Sequence, residues 1–137
     1  MAAALSFVWP GLGQWYAGRP RNAALYALPV AILALIVVVR AAAGIQSMAL
    51  SLIEPSVALT VLVLVVLVGI WRLLAMVDAS ASVSRGTVFR GRPGQVLAIL
   101  FALVIAGHGV LANDAWSFYE NGSQMFAGGD PGATRDP

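Results

Sequence analysis

The sequence predicts an all-α membrane protein: three transmembrane helices preceded by a short interfacial or re-entrant helical hairpin. Three observations carry that reading. Hydrophobic residues make up 60% of 137 residues and charged residues only 10%, whereas a soluble domain carries about 25% charged residues. Three apolar stretches approach the roughly 20 residues a helix needs to cross a bilayer. Their valines and isoleucines do not make them strands, because an isolated strand cannot satisfy its backbone in lipid. The length suits one compact bundle.

The opening stretch, Met1 to Gly18, is apolar but broken by Pro10, Gly11, Gly13 and Gly18. Pro10-Gly11 is a turn signal. Residues 1–22 are therefore expected to form a short helix, a tight bend and a second short turn at, or dipping into, the membrane surface. The backbone freed at the bend must find cover, since lipid offers no hydrogen bonds. Arg19-Pro20-Arg21-Asn22 is a basic turn, with Asn22 as helix N-cap. The first span follows at about 23–39, kinked by Pro29. In Ala41–Glu54, Ile45, Met48, Ala49, Leu52 and Ile53 share one helical face. This amphipathic pattern suits a segment lying along the far interface or extending the first span. Pro55 suits the first turn of the next helix, and the second span occupies about 56–77. Asp78 to Gly94 is polar and Gly-punctuated, a loop. The third span covers about 95–112, ending at Asn113-Asp114. The membrane domain closes at 119, and 120–137 has the Gly, Pro and polar content of a flexible extracytoplasmic linker.

Charge placement sets the orientation. All eight basic residues are arginine, and together with the Ala, Val, Leu and Gly bias this is the composition of a GC-rich bacterial gene. Arg19, Arg21, Arg72, Arg85, Arg90 and Arg92 fall at span ends on one side. The positive-inside rule makes that side cytoplasmic and the C-terminus extracytoplasmic. The same arginines are expected to contact anionic lipid headgroups. Trp9, Trp15, Trp71 and Trp116 suit the headgroup boundary. No Lys or Arg precedes Arg19, so the N-terminus lacks the basic start of a secretory signal peptide.

The vocabulary of catalysis is sparse, and no catalytic, cofactor or metal site is expected. There is no cysteine, hence no disulfide or thiolate chemistry. GLGQWYAG lacks the glycine spacing of a dinucleotide fingerprint, and a chain without lysine has no phosphate-loop lysine. One histidine and six scattered acids give no metal-ligand spacing. Nucleic-acid binding would need aromatic interleaving on a soluble surface. The Asn121-Gly122-Ser123 sequon is taken as chance. His108 shares a face with Phe101, Val104 and Ile105, and is expected to be a neutral interfacial histidine one turn from the outer end. Arg72 is expected to fix helix depth by snorkelling to the headgroups. Small residues repeat at helical spacing: Ala23, Ala27, Ala31 and Ala34 on the first span, Ala98, Ala102 and Ala106 on the third. Such faces allow close helix approach in lipid. They predict contact between the first and third spans, with Ala27 near Ala102.

The opening LSFVWPGLGQWYAGRPRNAALYALP carries a PGLGQ-type motif. With WRLLAMVDA (71–79) and GHGVLANDAWSFYEN (107–121), it resembles the N-terminal membrane region of some LytR-CpsA-Psr family proteins. That family carries an extracytoplasmic domain that transfers lipid-linked glycopolymers onto the cell wall. The resemblance spans nearly the whole chain, yet the family's catalytic domain is absent, so no residue here inherits a catalytic role. It implies a non-catalytic anchor in the bacterial cytoplasmic membrane. The anchor would position such a domain, supplied by sequence beyond Pro137, near its lipid-linked substrates. The alternative is a stand-alone multispanning scaffold or assembly protein.

Overall fold

The computed structural model describes residues 1–84 and 91–127, except the side chains of 83, 84, 91, 93, 126 and 127. Five helices follow in order: α1 Ala2–Val8, α2 Leu12–Tyr16, α3 Pro20–Ser51, α4 Pro55–Ser84 and α5 Gly91–Ala127. The last three are long and apolar enough to cross a bilayer, the architecture of a multi-pass membrane protein. α1 and α2 form the short hairpin in front of them. With three spans, residues 1–20, the end of α4 and the start of α5 share one side (the hairpin side), and the α3–α4 turn lies on the far side.

The helix ends differ from the sequence signals in four places. α3 begins at Pro20, with Arg19 as N-cap, so Asn22 sits inside the helix. A proline lacks only a donor that the first turn leaves unused. α3 breaks at Gly44, whose φ of 148° and ψ of 103° are non-helical, and this sets off the amphipathic end segment. α4 runs on through Asp78 to Ser84 instead of yielding to a loop. There Ser80 and Ser82 return their hydroxyls to the carbonyls four residues back, and Asp78 is engaged by the hairpin. α5 passes Asn113-Asp114 and continues to Ala127, so 120–127 is helical. Polar residues do not stop a helix that still has a face to pack. Ala115 is buried, and Gly122 lies so close to Ile53 that a β-carbon there would overlap its carbonyl oxygen. Residues 128–137 of the expected linker lie outside the described residues, as do Arg85 and Arg90.

The bundle is built on α4 and α5. Met76, Leu97 and Val104 form its core, backed by Leu73, Leu100 and Phe101 and by Ala3 and Phe7 of α1. On α5 the inward positions Leu97, Phe101, Val104 and His108 step by four, three and four residues, and Ala115 and Gly122 continue at intervals of seven. On α4 the buried or notched positions Gly69, Met76 and Ala79 follow the same heptad spacing. A period of 3.5 is the signature of helices wound gently about each other with side chains set into facing gaps. α3 touches α4 and α2 only, and among the described residues makes no contact with α5.

That last finding corrects the alanine pairing. Ala98, Ala102 and Ala106 are exposed, as is Ala31, so Ala27 does not meet Ala102. At 100° per residue, the α5 alanines lie off to one side of the heptad face that α4 covers. The gap shown at the main interface is Gly69 of α4, filled by His108 of α5, and the buried alanine of α5 is Ala115. Ala23 and Ala27 do serve close packing, but against the Pro10-Gly11 turn.

Candidate functional site: a polar lock on the amino-terminal hairpin

The hairpin turns where the sequence signalled it. Trp9 is extended at the end of α1, and Gly11 adopts φ 103° in the left-handed region. A β-carbon at Gly11 would overlap the Ala23 carbonyl oxygen, so glycine is required for both conformation and space. At Gly13, a β-carbon would overlap the Ala2 carbonyl and the Ser6 hydroxyl and crowd the Ala79 methyl. This glycine lets α1, α2 and α4 come together at one point.

Around it runs a continuous hydrogen-bonded chain. The Gly13 N–H donates to Ser6 Oγ at 3.2 Å, and Ser6 donates to Gln14 Oε1 at 3.1 Å. Gln14 Nε2 donates to the Ala75 carbonyl at 2.7 Å and to Asp78 Oδ2 at 3.2 Å. Asp78 Oδ1 receives Arg19 Nη1 at 3.2 Å, and Arg19 also donates to Ser82 Oγ. Ser6 and Gln14 have no exposed surface at all, yet no fully buried side-chain nitrogen or oxygen lacks a partner among the described residues. An unmet buried polar group costs about 1–3 kcal/mol, so the amide of Gln14, bonded on both its ends, is the central fastener.

Arg72 ties α4 to the end of α1. Its Nε and Nη2 donate to the Phe7 carbonyl, and Nη2 also reaches the Val8 carbonyl at 3.2 Å. Its guanidinium carbon lies 5.4 Å from the centre of the Phe7 ring. The reason is the orphaned carbonyls at the end of α1, which have no helical partner and would find none in lipid. Trp71 fastens α4 to α3. Its Nε1 donates to the Tyr26 carbonyl at 3.1 Å, and the two rings pack at a tilt of 53° with centroids 5.3 Å apart. Trp9, Trp15 and Trp116 are exposed, as are Arg21 and Arg92, and Trp116 packs at a tilt against Tyr119.

His108 belongs to the α4–α5 interface. It lies near the midpoint of α5, since that helix extends far past Ala112. Its ring packs over Gly69 near the midpoint of α4, where a β-carbon would come within 3.0 Å of Cδ2. The face it shares with Phe101 and Val104 is the packing face. Nδ1 lies 2.9 Å from the Val104 carbonyl. A carbonyl only accepts, so Nδ1 carries the proton.

The sequence marked Trp71 and Arg72 as candidates but assigned them to the boundary, and it missed the roles of Ser6, Gln14, Gly69 and Asp78. Glutamine and serine in an apolar opening were the available signal. The structure joins Arg19 and Arg72 to the hairpin and leaves Arg21 and Arg92 apart from it. What the cluster can do chemically is fasten: its buried polar side chains, Ser6 and Gln14, are committed to other parts of the chain, and only parts of Arg19 and Arg72 are left over. No group of three or more possible metal-binding side chains occurs among the described residues. No family model, curated protein or solved structure matches this chain.

Proposed function

We propose that the chain is a non-catalytic membrane anchor that carries an extracytoplasmic cell-envelope domain, in the manner of the LytR-CpsA-Psr proteins its sequence resembles. The observation that carries this reading is α5. It is one helix of 37 residues, about 55 Å at 1.5 Å per residue, against a hydrocarbon core of about 30 Å. Several turns therefore stand clear of the hydrocarbon, and the packing of Gly122 beside Ile53 and Pro55 holds their direction. That is the form of a stalk. The arginine bias supports placing the stalk outside the cytoplasm and the hairpin in the cytoplasmic leaflet, where Arg21 and Arg92 meet anionic headgroups.

The test is twofold. A reporter that is active only outside the cytoplasm, fused after Pro137, is expected to be active and to stay with membranes washed in alkaline carbonate. The same reporter near Arg90 is expected to be silent, and activity there would overturn the orientation. An antibody to the chain should detect a native product well above 14.3 kDa. A native product of that mass would overturn the anchor and leave the stand-alone scaffold. One observation favours that second reading: no residue in the apolar window of α3 is buried, so most of the surface of that span remains open to a protein partner.

A further inference from the structure

Arg72 brings a full positive charge to the end of the apolar part of α4. It follows the apolar run of that helix and lies six residues before Asp78, about 9 Å along the axis. Charges at the end of an apolar span are found paired or reaching water and headgroups. The one ion pair among the described residues joins Arg19 to Asp78, so Arg72 has no carboxylate there. Its hydrogen bonds go to neutral carbonyls and use Nε and Nη2. Nη1, with two N–H donors, has no partner among the described residues. The guanidinium is held at the end of α1, beside the hairpin turn, and its bond to the Val8 carbonyl is exposed. Around that opening, Val8, Trp9 and Leu12 expose apolar surface.

We propose that Arg72 and the tip of the hairpin form a binding site for the phosphate of an anionic phospholipid. Nη1 donates to a phosphate oxygen, which also neutralises the guanidinium, and planar N–H pairs suit phosphate geometry. Val8, Trp9 and Leu12 receive the acyl chains. Arg21 and Arg92 offer only diffuse surface attraction, whereas this site is a single position that the hairpin fold creates. The proposal rests on the membrane reading above, and its test is separable from it. Failure of carbonate-washed membranes to retain the protein would overturn the membrane reading. The lipid site is tested only on protein that remains in the bilayer.

The full chain is reconstituted in nanodiscs of phosphatidylcholine with a minor share of phosphatidylglycerol of the same acyl chains. The lipid that survives release into the gas phase is identified by native mass spectrometry. Wild type is expected to retain one phosphatidylglycerol, enriched about tenfold over the bilayer, because phosphatidylcholine offers the same phosphate oxygens but cancels their charge with its own choline, so that only phosphatidylglycerol neutralises the guanidinium. Arg72→Gln is expected to abolish the enrichment and Arg21→Gln to preserve it. Absence of enrichment in wild type overturns the proposal whatever the variants do, so it does not depend on whether Arg72→Gln folds. Equal loss in Arg21→Gln overturns it in favour of diffuse surface charge. Loss of the retained lipid to excess inorganic phosphate overturns the lipid source in favour of a free anion.

Discussion

Gln14 has no exposed surface and bonds to three other residues. A leucine of similar bulk leaves the Ser6 hydroxyl and one Asp78 oxygen short of a partner, in surroundings poor in water. Gln14→Leu should therefore destabilise the folded protein by about 2 kcal/mol, seen as a lower midpoint in heat-induced loss of monodisperse protein from detergent. A midpoint equal to wild type would remove Gln14 from its central position. Gly69 and His108 make a second residue-scale test. Gly69→Ala pushes a methyl against the imidazole, and overpacking of this kind costs about 1–3 kcal/mol. Truncating the ring should relieve it, so the double variant Gly69→Ala, His108→Ala should be less impaired than the two single effects added together. Strict additivity would place the ring elsewhere. His108→Leu, which keeps bulk in the gap and loses only the bond to Val104, should insert and accumulate like wild type.

At the scale of helices, the absence of cysteine makes proximity directly measurable. Cysteines replacing Gly69 and His108 should join on oxidation, whereas cysteines replacing Ala27 and Ala102 should not, because α3 and α5 do not meet. Efficient joining of the second pair would reverse the helix arrangement. How much of this was legible varies with the range of the interaction. The Pro10-Gly11 bend was readable because its cause is local, a proline followed by a residue free to take positive φ. The heptad of Leu97, Phe101, Val104 and His108 was present in the spacing, but the alanines beside it offered an equally regular stripe. Nothing local says which stripe a neighbour will cover. Helix ends were misplaced at Asp78 and Asn113 for a related reason. Polar residues mark ends where a helix would otherwise stop, and here packing carried both helices onward.

For the whole molecule, the fold class and the three spans followed from composition and run length, because the bilayer sets the length requirement. The lock of the hairpin was not legible, since Gln14 and Arg72 find partners 61 to 65 positions away. Such distances also bear on synthesis. Residues 1–18 leave the ribosome well before α4, yet their carbonyls and amide wait for a stretch of α4 made some sixty residues later. At about 5–20 residues per second, that delay is roughly 3 to 12 seconds. During it the nascent terminus has no protein partner for its broken backbone, and must stay where water or a chaperone can serve it. A chain arrested after Ser51 should accordingly leave a cysteine placed at Ser6 open to a water-soluble maleimide, and one arrested after Ala127 should shield it. Equal labelling of the two would mean that the terminus is buried before its partners exist.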